Sequence, residues 1–207
     1  MWRTKLRILA TLLAAVLLLS AFTAPAGGAD IGIQIAPPTG WTNRDANVTI
    51  TITDHAGNGF SRATVKGEGD WRDITAELEQ QSGQYDTVLT VSGNCTVTVN
   101  VTGWDGQTYE KSQEIKCFDR DAPTLRTSFT AQQLHVEAAD TASGVAAVYV
   151  DGQKYTALDN GAVDVPLAEI GAGNAKINVQ AEDSAGNLSQ AVAVENPSYK
   201  TAASEPD

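Results

Sequence analysis

The chain repeats itself, and that repeat constrains its fold more than any single motif. Asn47-Val-Thr-Ile-Thr-Ile-Thr-Asp54 aligns with Gln133-Leu-His-Val-Glu-Ala-Ala-Asp140; apolar residues alternate in both blocks and both end in Asp. Gly59-Phe-Ser-Arg-Ala-Thr-Val65 then aligns with Gly144-Val-Ala-Ala-Val-Tyr-Val150. Gly93-Asn-Cys-Thr-Val-Thr-Val-Asn-Val101 aligns with Gly173-Asn-Ala-Lys-Ile-Asn-Val-Gln-Ala181. The offset falls from 86 to 80 along the chain, so the second copy has shorter middle loops. Matched blocks in one order mean two copies of one unit rather than shared composition. Within each copy the side-chain period is two, which puts apolar residues on one face of an extended strand.

Clusters of Gly, Asn and Asp break these runs roughly every 8–12 residues, the turn spacing of an immunoglobulin-like sandwich. Only Leu167–Ile170 offers a helical turn. The expectation is an all-β chain: two tandem immunoglobulin-like antiparallel β-sandwiches, residues 30–119 and 120–195, after an N-terminal signal helix. Asp119-Arg-Asp-Ala-Pro123 is the linker, polar and stopped by proline. Residues 196–207 are rich in Ser, Ala, Pro and acid, and read as a disordered tail.

The leader precedes this unit. Arg3, Lys5 and Arg7 are followed by an apolar run to Ala24, then by Ala24-Pro25-Ala26, a small-x-small cleavage pattern. That order is a secretory signal peptide over residues 1–29; the rival reading is an uncleaved anchor, because the run is almost long enough to span a bilayer. No later run has spanning length. Removing 29 residues leaves 11 basic against 25 acidic residues, a net charge of −14. Phosphate binding needs clustered Lys and Arg, so nucleic acid and anionic membrane surfaces are poor partners.

Export also decides how Cys95 and Cys117 read. In an oxidising compartment two cysteines are most simply one disulfide. They lie at nearly equal distances either side of the turn Gly103-Trp-Asp-Gly106, and each shares its parity with core-facing residues (Val97 and Val99; Ile115). A bridge at the base of that hairpin would contribute roughly 3 kcal/mol in the chain-entropy model. Two Cys and two distant His (His55, His135) lack the paired spacing of a zinc site.

Several phrases together resemble the tandem bacterial immunoglobulin-like repeats of secreted and cell-surface proteins. They are Gly40-Trp-Thr-Asn-Arg-Asp45 leading into a Thr/Val strand, Asp121-Ala-Pro123 opening a repeat, Asp140-Thr-Ala-Ser-Gly-Val145, and Ala181-Glu-Asp-Ser-Ala-Gly-Asn187 before a final strand. The resemblance implies adhesion, spacing of other modules, or carbohydrate attachment at the cell exterior. It names no ligand.

Two candidate sites follow. In such a sandwich the second and sixth strands run the same way, so Asp140 and Asp183 end at one pole, which also receives the linker with Asp119 and Asp121. Four converging carboxylates supply the hard oxygen ligands of Ca²⁺; alternatively these Asp residues make Asx turns. At the corresponding pole of the first copy, Trp104 sits in a turn and His55 follows Asp54. With Trp41 they form either an exposed platform for a sugar or protein, or aromatics folded back over the sandwich end.

Chemistry is sparse otherwise. The segments 46–53 and 132–139 hold no Lys, which argues against a Lys–Asn self-crosslink there. No Ser sits in a nucleophile-elbow sequence, and 25 acidic residues make carboxylate pairs by chance. The Asn-x-Ser/Thr matches at Asn47, Asn94, Asn100 and Asn187 arise readily in Thr-rich strands. The chain therefore reads as an exported, non-catalytic module at the cell exterior, with no required cofactor beyond possible calcium. It would bind a protein or surface glycan, with a purely structural spacer as the alternative and a secreted carbohydrate-active enzyme as the third reading.

Overall fold

In the computed structural model, residues 30–200 are described. The expected signal helix (1–29) and residues 201–207 of the expected tail lie outside them. The first sandwich is built from β1 (Ile31–Ala36), β2 (Ala46–Asp54), β3 (Phe60–Lys66), β4 (Arg72–Asp73), β5 (Glu79–Gln81), β6 (Gln84–Val91), β7 (Cys95–Gly103) and β8 (Thr108–Ile115). Its sheets have the orders β1-β2-β6-β5 and β4-β3-β7-β8. The second contains β9 (Thr124–Phe129), β10 (Gln133–Ala139), β11 (Val145–Val150), β12 (Gln153–Tyr155), β13 (Ala162–Pro166), β14 (Lys176–Asp183), β15 (Val192–Glu195) and a one-turn helix, α1 (Leu167–Ile170). Its sheets run β13-β10-β9 and β12-β11-β14-β15. Every pairing within these sheets is antiparallel.

Both orders place the first two strands on one sheet and the third and the last two on the other. This is the arrangement of an immunoglobulin-like sandwich, so the chain is all-β with two of them. The aligned sequence blocks occupy equivalent places: β2 and β10, β3 and β11, β7 and β14. Even the irregularities match. A register shift falls between Phe60 and Arg62 at the start of β3, and between Val145 and Ala147 at the start of β11. Such a bulge turns the strand just after the Asp-ended loop.

Alternation builds two separate cores. Val48, Ile50 and Ile52 of β2 face Val97, Val99 and Val101 of β7, all fully buried. Leu134 and Val136 of β10 face Val148 and Val150 of β11, with Ile177 and Val179 of β14. Between the two, Thr, Asn and charged residues take the outward positions. At Gly161 (φ 86°) the chain passes so close to β10 that a Cβ would stand 2.3 Å from the Ala138 carbonyl oxygen. Only glycine fits there, because both the left-handed backbone and the contact exclude a side chain.

The expected tail begins too early. Asn196 is buried; its side-chain amide donates to the carbonyls of Gly171 and Asn174, and its carboxamide oxygen accepts from the Ser198 N–H. Polar composition suggested disorder, but here a polar side chain closes the open loop ends at one pole of the second sandwich.

Because the cores share no residue, Ile50→Ala and Ile177→Ala should each cost about 2–5 kcal/mol in their own sandwich only. Chemical denaturation followed residue by residue by NMR should show each variant lowering the transition of one sandwich.

Candidate functional site

The described residues that gather most chemistry lie where the two sandwiches meet. Asp119, Asp140 and Asp183 each offer a carboxylate oxygen, and these oxygens lie within 4.8 Å of one another. Asp140 follows β10, Asp183 ends β14, and Asp119 comes in with the linker, as the parallel course of the second and sixth strands requires. Asp119 and Asp183 are 4% and 2% exposed, so two of the three charges are largely removed from water.

Main-chain dipoles hold them. Asp140 Oδ1 accepts the N–H groups of Ala142 and Gly144 (3.0 and 2.7 Å). Asp183 Oδ1 accepts those of Ala185 and Asn187 (2.9 and 2.8 Å). Asp119 spans the junction: Oδ1 accepts the N–H of Asp121 within the linker, and Oδ2 that of Ser143 in the second sandwich, both at 3.0 Å. The Ser143 hydroxyl is buried beside that carboxylate without a hydrogen bond of proper geometry. Its proximity, and then the Asp121 and Ser143 N–H groups, hold the Asp119 carboxyl below its ordinary pKa against the opposing effect of burial. Among the described residues no ion pair involves the three carboxylates. Arg120, the next residue, points the other way, to the Ser92 carbonyl (2.6 Å) and Asp45 (3.4 Å).

Asn187 ties these parts together. Its amide nitrogen donates to Asp183 Oδ2 (2.8 Å) and to the Asp119 carbonyl (3.0 Å), while its oxygen accepts from Asn43 of the first sandwich (3.0 Å). A parallel bridge between Thr42 and Phe118 secures the linker from the other side: the Thr42 N–H donates to the Cys117 carbonyl and the Asp119 N–H to the Thr42 carbonyl. Sequence reasoning passed over Asn187, Asn43 and Ser143. The phrase Asp183-Ser-Ala-Gly-Asn187 carried a signal, because the equivalent turn in the first copy ends in Gln107 and begins with Gly103.

Asp121, expected as a fourth ligand, is not in the group; it contributes its N–H instead. Trp41 also separates from its expected companions. Trp104 and His55 occupy the free pole of the first sandwich, where β2 and β7 end. Trp41 lies at the opposite, junction-facing pole, because it precedes β2. There it is 40% exposed and lines a cleft of about 370 Å³ with Asn94, Cys95, Phe118 and Ala142. Trp104 is 53% exposed and rests on the loop at Gly59, where a Cβ would meet its Nε1 at 3.3 Å. The His55 ring lies against Gly32. The loop beneath them repeats the Asp140 arrangement: Asp54 accepts the N–H groups of Gly57 and Gly59.

Cys95 and Cys117 are free thiols. The register gives the reason: Cys95 pairs with Ile115, two residues short of Cys117. Cys117 thus lies beyond the last ladder pair, and the two thiols are not directly opposed as a bridged cross-strand pair would be. Burial pushes both thiols up from their ordinary pKa.

A further cleft of about 460 Å³ lies at the far pole of the second sandwich, lined by Asp151, Gln153, Tyr155 and Glu169. The two histidines stand on different sandwiches, and His135 pairs with Asp164 at 2.7 Å on an exposed sheet face. No helix among the described residues is long and apolar enough to cross a membrane.

No family model matches the chain, and no curated protein does. Among solved structures it is similar to fibronectin(III)-like modules of Clostridium thermocellum CbhA, with 16% identity, 80% of this chain and 92% of that one covered, and a TM-score of 0.40. It is similar to a structure bearing on host cell surface retention of a 1.5-MDa bacterial ice-binding adhesin (16% identity; 82% and 65% covered; TM-score 0.43). It is also similar to Bacteroides ovatus SGBP-B, of a mixed-linkage glucan utilization locus, in complex with a mixed-linkage heptasaccharide (13% identity; 82% and 48% covered; TM-score 0.29). Likeness this distant says nothing about ligand, partner or activity.

Asn187 should matter more than its bridging partner. Asn187→Ala strands a buried carboxylate oxygen and a carbonyl, and should destabilise the second sandwich by about 1–3 kcal/mol. Asn43→Ala leaves the bonds to Asp183 and Asp119 in place and should cost less than half as much in urea denaturation.

Proposed function

We propose that this chain is an exported, non-catalytic immunoglobulin-like module that mediates binding or adhesion at the cell exterior, with a protein or surface glycan as partner. The observation that supports it is the contrast between the poles of the first sandwich. One pole is fastened to the second sandwich through Asp119, Asn43 and Asn187; the other presents Trp104 from the β7–β8 turn, resting against the neighbouring loop that Asp54 stiffens. An indole face with a wet edge suits a sugar ring or a protein side chain, and loops on a rigid sandwich are where recognition usually sits. The acidic balance favours neutral or basic partners over anionic ones.

The junction takes a divalent cation, with calcium the best match. The donors are hard oxygens, as Ca²⁺ requires: Asp119, Asp140 and Asp183, with the buried Ser143 hydroxyl beside them. Three carboxylates this close repel one another, and among the described residues no Lys or Arg side chain pairs with them. A bound cation would relieve that repulsion and stiffen the angle between the sandwiches. The same fastening favours the alternative of a purely structural spacer, for which a rigid junction is sufficient and the free pole is inert.

Two measurements separate these readings. Millimolar Ca²⁺ should raise the unfolding midpoint of the second sandwich relative to chelator, and Asp183→Asn should abolish the difference; superimposable curves would remove the cation. Separately, the chain should co-sediment with intact bacterial cells, purified cell wall or an insoluble polysaccharide, and Trp104→Ala should lower retention tenfold or more without changing stability. Folded protein that stays in the supernatant with all three leaves the spacer.

A further inference from the structure

Beyond the binding reading, and independent of it, we infer that Cys95 and Cys117 are a dithiol latch on the linker: oxidation to one intramolecular disulfide ties the start of β7 to the segment that carries Asp119 into the junction. Four observations lead there. Both thiols belong to the first sandwich and pack against the same core. They lie at the same end of the β7–β8 pair, Cys95 opposite Ile115 and Cys117 two residues beyond it.

The residues flanking them are already clamped. The Asn94 side chain accepts the Phe118 N–H at 2.9 Å and donates to the Phe118 carbonyl at 3.0 Å. This side chain continues the ladder past the end of β8 and holds the two cysteine segments side by side. Cys117 lies just beyond β8, where the chain is not bound to the regular register. A small adjustment of that segment can bring the two thiols within disulfide span.

Finally, Cys117 stands two residues before Asp119, and its carbonyl accepts the Thr42 N–H. A bond at Cys117 therefore limits the freedom of the one segment that both sandwiches grip. Burial keeps the thiols protonated, so they are poor nucleophiles, and a structural bond suits them better than thiol catalysis. The reaction balances with a disulfide oxidant such as oxidised glutathione. The two S–H bonds break and one S–S bond forms. Two electrons and two protons pass to the oxidant, which leaves as two thiols.

The test uses the full chain equilibrated with oxidised glutathione and then with excess dithiol. After alkylation, mass spectrometry should show one Cys95–Cys117 bond and no blocked thiols in the oxidised sample. Reduction should lower the unfolding midpoint of the first sandwich by roughly 10 °C or more, given the loop closed. Exchange of the Ser143 N–H, which reports the grip of Asp119, should quicken on reduction. The Cys95→Ser/Cys117→Ser double variant should show neither response; if it does not fold, Cys95→Ala/Cys117→Ala serves. Two alkylated thiols after oxidation, or bonds only between copies, would overturn the pairing. A correct bond with unchanged Ser143 exchange would overturn the latch.

Discussion

Asp119 is the residue on which the arrangement of the two sandwiches depends. One carboxylate oxygen accepts from its own linker and the other from Ser143 across the junction. Each core is complete by itself, because hydrophobic burial is non-directional and closes within each pair of sheets. Burial alone would leave two sandwiches on a swivel. Their relative orientation needs directional bonds, and those come from one residue whose side chain accepts the Ser143 N–H of the second sandwich while its own N–H donates to the Thr42 carbonyl of the first. Arg120 completes the pin by turning back onto Ser92 and Asp45 of the first sandwich. Adjacent linker residues thus grip opposite partners.

The same loop is used twice with different results. Asp54 and Asp140 each close the turn after an equivalent strand by accepting main-chain N–H groups. The second copy adds Asp183 and Asn187 in the neighbouring hairpin, where the first has Gly103 and Gln107, and follows Gly103 with Trp104. The first copy's pole, with Asp30, Asp54 and Asp105 on its loops, can face solvent or a partner under an indole. The second copy's pole brings Asp140 and Asp183 within 4.8 Å of Asp119 from the linker, a concentration of like charge that N–H dipoles and Asn187 offset. One fold therefore yields a docking pole and a free pole through a few hairpin substitutions.

The strands were readable in the sequence because alternation with period two is a local property, and the turns were marked by Gly, Asn and Asp. The convergence of Asp119, Asp140 and Asp183 was readable too, since strand direction alone decides which ends share a pole. Other features depended on contacts that no local pattern records. Asn43 and Asn187 meet across 144 positions. Asp121 shares the linker with Asp119, but acts through its N–H because its neighbour's carboxylate folds back on it. Trp41 looked like a companion of Trp104 by residue type, yet it lies before β2 rather than after it, and that places it at the other end of the sandwich. Asn196 looked like the start of a polar tail, yet it is buried and its amide donates to two loop carbonyls.

Charge links these points. The chain carries a strong excess of acid, yet among the described residues its most buried acids are not paired with bases: the ion pairs there lie on exposed or partly exposed surfaces, where such pairs contribute little. The buried carboxylates are instead bound to main-chain N–H groups, whose positions are set by the turns themselves. A Lys or Arg partner would have to reach in on a flexible stem and lose its freedom there. An N–H group is already ordered by the fold it helps to form. Turn, charge and junction are consequently one device, and removing the carboxylate at any of the three positions disturbs all of them.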